Sequence, residues 1–207
     1  MTFETFVVSA ASEAAFAAAR AVAEERPDAP NPLFLVGPTG AGKSHLLMAI
    51  EAELLRRRPG VAGLRVSART VADTYIAAIR SERIETFRRA LVELDALLID
   101  DFRLDPKVTE AIVTLVDDCS RHGVRVVIAA DVLHCRIPDS AHIVQLGYPD
   151  VRVRLEIARL EAAKRRLVVP DAALRSLAQR GSGNPREVQS AVARLAAEAA
   201  LAPRKAS

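Results

Sequence analysis

The residues with the most specific chemistry form a glycine-rich turn between an apolar segment and a helical segment. Their order fits G-x-x-x-x-G-K-[ST], and the stretch runs Gly37, Pro38, Thr39, Gly40, Ala41, Gly42, Lys43 and Ser44. Glycines let a backbone aim several N–H groups at one polyphosphate, and the next helix adds its positive end. Lys43 can reach the outer phosphates, and the Ser44 hydroxyl can hold Mg²⁺. The pattern predicts a P-loop, with a glycine turn that binds nothing as the alternative.

Carboxylates that directly follow apolar runs are the second set of candidates. Asp100 and Asp101 follow the run 96–99, and Asp131 follows 124–130. Ligands of parallel sheets sit at the carboxyl ends of the strands. Asp100 is placed to hold Mg²⁺, Asp101 to orient or deprotonate a water, and Asp131 to touch the terminal phosphate or that water. Aspartates also start turns and cap helices after strands, so that alternative stays open.

Arg186 is the third kind of candidate, because it lies in the first turn of a predicted helix, after Asn184 and Pro185. A cation at this end opposes the helix dipole, and a phosphate partner would account for the arrangement. A solvated or ion-paired arginine is the alternative.

A sheet and its helices must bring these residues together. Apolar runs predict strands at 33–36, 64–67, 96–99, 124–130 and 143–146. Helical spacing predicts helices at 9–26, 43–57, 70–79, 84–94 and 106–121, and then, after Pro149, at 151–167, 170–179 and 185–201. This order predicts an α/β fold, a parallel five-stranded P-loop NTPase sheet covered on both faces, with a three-helix C-terminal lid. We expect a nucleotide-binding domain at 1–148 and the lid at 149–207.

Composition is compatible with this class of protein. The chain has 207 residues, of which 50% are hydrophobic and 27% charged, with a net charge of +3. Such a mild positive charge permits nucleic-acid contact without requiring it. No apolar run reaches the ~18 residues of a membrane span, and no signal peptide is recognised. Cys119 and Cys135 lack metal-ligand spacing, which favours reduced thiols in a cytoplasmic protein.

The ordered set of motifs resembles an AAA+ ATPase, and within that class the family of the bacterial replication initiator DnaA. The matching segments are 2–8, 31–34, 42–47, 71–88, 95–101, 149–154 and 184–191. The resemblance covers nearly the whole chain. It implies that the cofactors are ATP or ADP with Mg²⁺.

The resemblance also implies roles for individual residues. It places Phe6, Val7, Val8 and Asn31 beside the adenine, His45 among the nucleotide-binding residues, Asp100 and Asp101 as the Walker B pair, Asp131 at sensor 1 and Arg186 at sensor 2. Asp101, Asp131 and Arg186 are the catalytic candidates. The helices across 70–91 take the place of an insert that contacts single-stranded DNA and neighbouring subunits in DnaA. The insert arginines Arg80, Arg83, Arg88 and Arg89 are candidates for phosphate contacts, with a solvated basic face as the alternative.

The connection between the fourth and fifth strands departs from the DnaA pattern. Residues 133–142 are too few for the arginine-rich helix that supplies the family's arginine finger, and Arg136 is the only arginine among them. A finger commonly contributes several orders of magnitude in rate, so we expect weak ATP hydrolysis at most. The sequence shows neither an initiator's N-terminal domain nor its helix-turn-helix domain. It is similar in length to the DnaA-related regulator Hda but has no sliding-clamp-binding peptide.

We therefore expect a nucleotide-switched regulator or adaptor in DNA replication initiation. Its partner would be DnaA, the replicative helicase or single-stranded DNA, and we expect a monomer or weak oligomer that does not bind membranes. An active ATPase of the helicase-loader or transposition-helper type is the alternative. A small-molecule kinase is disfavoured because the three-helix lid with Asn184, Pro185 and Arg186 is not typical of one.

Overall fold

The computed structural model describes residues 1–180 and 183–201. Its strands are β1 (Leu33–Val36), β2 (Gly63–Ser67), β3 (Ala96–Asp100), β4 (Arg125–Ala130) and β5 (His142–Gln145). They form one sheet in the order β2-β3-β4-β1-β5, and every neighbouring pair is parallel. The predicted α/β fold with a parallel five-stranded sheet is confirmed. Residues 181–182 and 202–207 of the predicted lid lie outside the described residues.

The helices begin and end close to the predicted positions. They are α1 (Glu13–Ala23), α2 (Lys43–Arg57), α3 (Ala68–Arg80), α4 (Ile84–Val92), α5 (Pro106–Arg121), α6 (Val151–Lys164), α7 (Asp171–Gln179) and α8 (Pro185–Leu201). The predicted start of α1 at residue 9 was wrong. The backbone N–H of Ser9 instead donates to Ser12 Oγ at 3.0 Å, so a serine-closed turn precedes the helix. Within 1–180 and 183–201, no helix has both the length and the hydropathy to cross a membrane.

The three central strands β1, β3 and β4 are buried on both faces, which explains their apolar sequences, whereas the edge strands β2 and β5 are largely exposed and carry polar residues such as Arg65 and His142. Along β1, Leu33 and Leu35 pack on the face covered by α1 and α2, while Phe34 packs on the opposite face with α3, α4 and α5. This alternation follows from the two-residue period of a strand. The sheet therefore holds the carboxyl ends of β1, β3 and β4 at one edge, beneath the predicted site.

The helices α6, α7 and α8 have an apolar cluster of their own. It contains Ala158, Ala162, Leu174, Val188 and Val192. Arg154 adds a polar connection, because its guanidinium donates to Pro149 O at 2.7 Å and to Ala178 O at 2.8 Å. These contacts make the three helices one packed unit. The domain boundary after residue 148 remains a prediction.

The connection between β4 and β5 contains no helix across residues 131–141, all of which the structure describes. Leu133 and Ile137 instead pack against the cluster on the α5 side of the sheet. Arg136 lies beside Asn31, near the opposite edge from the glycine-rich turn. This part of the chain therefore brings no arginine to the predicted site.

Candidate functional site

A cavity of about 610 Å³ lies between the carboxyl edge of the sheet, the N-terminal segment and the lid helices. Its volume is in the range of small-molecule sites. The lining includes Thr5, Phe6, Val7, Thr39, Gly40, Ala41, Gly42, Lys43, Ser44, His45, Asp100, Asp101, Arg103, Asp131, Val153, Ile157, Leu160 and Arg186. Most of the predicted site residues are thus brought to one cavity.

Lys43 is buried at the base of this cavity, with its side chain only 8% exposed. Its ammonium donates to Gly37 O at 2.5 Å and to Pro38 O at 3.0 Å. A third bond, of 2.8 Å, goes to Asp131 Oδ1. These partners compensate the burial of the charge, and they hold the ammonium between the glycine-rich turn and the end of β4.

The Asp131 carboxylate accepts from three side chains. Besides Lys43, it accepts the Thr39 hydroxyl at 2.8 Å and the Arg103 guanidinium at 2.6 Å, both on Oδ2. The hydrogen bond from Lys43 is the main reason that the pKa of Asp131 lies below its ordinary value, and Thr39 and Arg103 lower it further. The carboxylate is therefore ionised at neutral pH, and it links two cations that can bind phosphate.

Asp100 and Asp101 lie at the end of β3 and line the same cavity. Asp101 has a positive φ of 53°, a conformation that L-residues other than asparagine and aspartate seldom adopt. Its backbone N–H donates to Asp100 Oδ1 at 2.9 Å. Glu25, Glu82 and Arg166 have similar φ values and do not line the cavity, so the candidate role of the pair rests on its place in the cavity.

The oxygen ligands of this site fit Mg²⁺ bound together with a polyphosphate. Ser44 supplies a hydroxyl and Asp100 a carboxylate, both of the hard oxygen type that Mg²⁺ prefers. In the described part of the chain, no group of three or more His, Cys, Asp or Glu side chains could hold a metal by itself. Phosphate and water oxygens would complete the coordination.

The N-terminal segment packs on the start of α2. The His45 ring contacts the Phe6 ring with centroids 5.2 Å apart, and its Nε2 lies 3.0 Å from Thr2 O. Because a carbonyl only accepts, Nε2 carries a proton. Burial lowers the pKa of His45, which favours the neutral ring. Phe6 and Val7 thereby form one wall of the cavity.

Two residues predicted to flank the base lie elsewhere. Val8 is not among the lining residues and is 41% exposed. Asn31 precedes β1 at the opposite edge of the sheet, where its Nδ2 donates to Val124 O and its Oδ1 accepts from Val126 N, both at 2.9 Å. The structure therefore places Asn31 in a strand-bridging role and does not bring it to the cavity.

The lid reaches the glycine-rich turn through α8. Arg186, in the first turn of this helix, lines the cavity. Asn184 Oδ1 caps the helix by accepting from Arg186 N at 2.9 Å. A Cβ at Gly40 would lie 2.0 Å from this same Oδ1, so only glycine lets the lid come this close. A ligand at the turn is consequently also within reach of the lid.

Two features of the cavity were missed from the sequence. One is the apolar wall that α6 contributes through Val153, Ile157 and Leu160, whose i, i+4, i+7 spacing on one helix face could have indicated it. The other is Arg103, whose salt-bridge partner Asp131 is distant in sequence. No local pattern marks that arginine, because the pairing depends on how β3 and β4 lie in the sheet.

The predicted nucleic-acid contacts lie outside the cavity, on and between α3 and α4. Arg80, Arg83, Arg88 and Arg89 are all exposed. Arg88 pairs with Glu85 at 3.3 Å on the same helix. The arrangement leaves a basic surface available, and a solvated face still explains it equally well.

The family model for the bacterial DnaA ATPase domain matches residues 1–143. The chromosomal replication initiator protein DnaA of Cereibacter sphaeroides is 35% identical over 226 residues, which is 99% of this chain and 49% of that protein. The DnaA of Enterococcus faecalis is 32% identical over 213 residues. The chain spans about half the length of these curated relatives.

Solved structures support the fold. Domain III of the Thermotoga maritima replication initiation protein DnaA superposes with a TM-score of 0.87 at 24% identity, covering 100% of this chain and 91% of that one. A replication initiator DnaA bound to AMPPCP and single-stranded DNA gives a TM-score of 0.80 at 21% identity, covering 94% of this chain and 64% of that one. At sequence identities of 21–24%, these similarities show the fold alone.

Proposed function

Because the chain belongs to the bacterial DnaA ATPase domain family, we propose that it binds ATP or ADP with Mg²⁺ and acts as a nucleotide-switched regulator or adaptor in DNA replication initiation. One observation carries the proposal: a single cavity is lined by both the glycine-rich turn and the lid. A ligand that contacts both the glycine-rich turn and the lid can favour one lid position over another. A switch requires such a difference in ligand contacts between its two states.

Within this cavity the backbone of residues 39–44 and the Lys43 ammonium bind the phosphates. Gly37 and Pro38, also predicted to bind nucleotide, are not among the lining residues and instead accept hydrogen bonds from Lys43 through their carbonyls. Ser44 and Asp100 hold Mg²⁺, which when bound offsets the charge of the phosphates. Asp101 orients the attacking water, and Asp131 and Arg186 act beside the terminal phosphate. Phe6 and Val7 line the cavity together with the apolar residues of α6, and these groups suit the planar, largely apolar faces of a purine.

Slow hydrolysis is part of this proposal. The connection 131–141 contains no helix, so this segment cannot present an arginine finger in the way the family's longer segment does. Without such a cation, P-loop enzymes turn over slowly even when the other parts are in place. A site that leaves bound ATP unhydrolysed for long periods suits a switch whose states differ in partner affinity.

We propose that partners bind to the lid together with α3 and α4, and that their affinity depends on the bound nucleotide. A DnaA of similar fold is described as bound to single-stranded DNA. The exposed insert arginines would supply phosphate contacts if this chain binds DNA in a comparable way. DnaA itself and the replicative helicase are the protein partners that we propose.

Steady-state hydrolysis separates this function from the active-ATPase alternative. We expect Mg·ATP turnover of about 0.01 s⁻¹ or less, unchanged by single-stranded DNA, because the connection 131–141 provides no arginine finger for a neighbouring subunit. The measurement is phosphate release by the wild type and by Asp101→Asn, a variant that tolerates the left-handed backbone of that position.

Asp139→Asn, in the connection outside the cavity, is the control for loss of a carboxylate. DNA-stimulated turnover that disappears in Asp101→Asn but persists in Asp139→Asn would contradict the regulator proposal and support a helicase loader or transposition helper.

A further inference from the structure

We propose that Arg103 is a specificity-determining residue that binds the terminal phosphate of ATP and so makes the site distinguish ATP from ADP. The inference rests on the proposed nucleotide binding. It concerns a residue on the loop after β3, within this chain, and is independent of any arginine supplied by a neighbouring subunit.

The contacts of Arg103 place it at the phosphate end of the cavity. Its Nη2 donates to Asp131 Oδ2 at 2.6 Å, and Asp131 Oδ1 accepts from Lys43 Nζ at 2.8 Å. One carboxylate therefore bridges the guanidinium and the buried ammonium. A phosphate oxygen that reaches Lys43 therefore approaches the Asp131 carboxylate, whose negative charge is offset by Arg103.

The backbone beneath Arg103 is held in place while its side chain remains accessible. Phe102, which is 5% exposed, is buried beside β4 and donates its N–H to Ala129 O at 2.8 Å. The N–H of Arg103 donates to Asp101 O at 2.7 Å. The Arg103 side chain is nonetheless 74% exposed. Because the backbone is fixed and the guanidinium is exposed, Arg103 can exchange its carboxylate partner for another anion without refolding the loop.

The chemistry of the exchange favours the longer nucleotide. Asp131 is a single negative group shared by Lys43, Thr39 and Arg103. A terminal phosphate carries more charge and more acceptor oxygens than a carboxylate, and a guanidinium can bind two of them at once. The glycine-rich turn and Lys43 serve the phosphates that ATP and ADP share. Arg103 is joined to Lys43 only through Asp131, so on this proposal it contributes to binding when a third phosphate extends toward Asp131.

The test is a comparison of nucleotide affinities by titration calorimetry with AMPPCP, a non-hydrolysable ATP analogue, and with ADP, both in Mg²⁺. For Arg103→Gln we expect AMPPCP to bind about tenfold more weakly, the low end for a charge-assisted hydrogen bond, and ADP to change less than about twofold. Arg103→Lys keeps the positive charge but not the two-pronged guanidinium, so its AMPPCP affinity should fall between those of the wild type and Arg103→Gln.

Arg69→Gln is the matched control, because Arg69 is also an exposed arginine paired with an aspartate, at 3.1 Å, but on α3 outside the cavity. The inference is supported if Arg69→Gln binds both nucleotides as the wild type does, and if Arg103→Gln has a lower ratio of AMPPCP affinity to ADP affinity. If the wild type binds both nucleotides and Arg103→Gln keeps the wild-type preference, the inference is wrong and the proposed function stands. If the wild type binds neither nucleotide, the proposed function fails and the inference fails with it.

Discussion

Lys43→Ala is expected to weaken the binding of Mg·ATP by about 100-fold, which corresponds to about 2.7 kcal/mol. The ammonium is buried between the glycine-rich turn and Asp131, so its charge acts with little screening by water. Its loss removes a cation and also leaves the Asp131 carboxylate facing the phosphates. Both effects oppose nucleotide binding. Titration of a fluorescent ATP analogue measures the change.

Lys107→Ala is the matched control for this prediction. Lys107 also lies in the first turn of a helix, α5, but it is exposed and outside the cavity. Its removal should leave ATP affinity within about twofold, since a surface charge at this distance is largely screened. Equal affinities of Lys43→Ala and the wild type would show that the nucleotide, if bound, is not held at this turn.

Gly42→Ala is expected to lower the free energy of unfolding by about 3 kcal/mol, and Gly60→Ala by only about 1 kcal/mol. Both glycines have positive φ, 105° and 97°, so both variants carry the cost of a left-handed alanine. Only at Gly42 would the new Cβ meet a neighbour, lying 2.8 Å from Phe6 Cε2, whereas nothing lies within 4 Å at Gly60. The difference between the variants therefore isolates the contact between the N-terminal segment and the turn.

Phe6 cannot move away at little cost, because its ring packs against Phe16 at 5.7 Å and against His45 at 5.2 Å. We therefore also expect Gly42→Ala, but not Gly60→Ala, to weaken ATP binding. Chemical denaturation gives the two unfolding free energies. If both substitutions cost the same, the N-terminal segment does not pack on the turn as described.

The parts of the fold that depend on local sequence were predictable. The turn Gly37–Ser44 and the bounds of α2 follow from glycine, lysine and helical spacing within one short stretch. Strands β1 and β3 are apolar because they are buried on both faces of the sheet, and that pattern is visible without knowing their neighbours. The parallel order of the sheet then brings Asp100 and Asp131 to the same edge.

Features that depend on tertiary contacts were not predictable in the same way. Arg103 acquires its place only when β3 and β4 are adjacent. Val8 and Asn31 were assigned to the cavity by their positions in two matching segments, 2–8 and 31–34, but neither residue is among those that line the cavity. Asn31 precedes β1 and the glycine-rich turn follows β1, so the length of this strand separates Asn31 from the turn.

The affinity of this chain for DnaA, measured in ATP and in ADP at concentrations that saturate the wild type but not Lys43→Ala, tests the central claim of a nucleotide switch most directly. Immobilised wild type and Lys43→Ala are compared by surface plasmon resonance. We predict that the two nucleotides give wild-type affinities that differ at least about tenfold, and that Lys43→Ala shows no such difference. Equal affinity of the wild type in ATP and in ADP would contradict the claim.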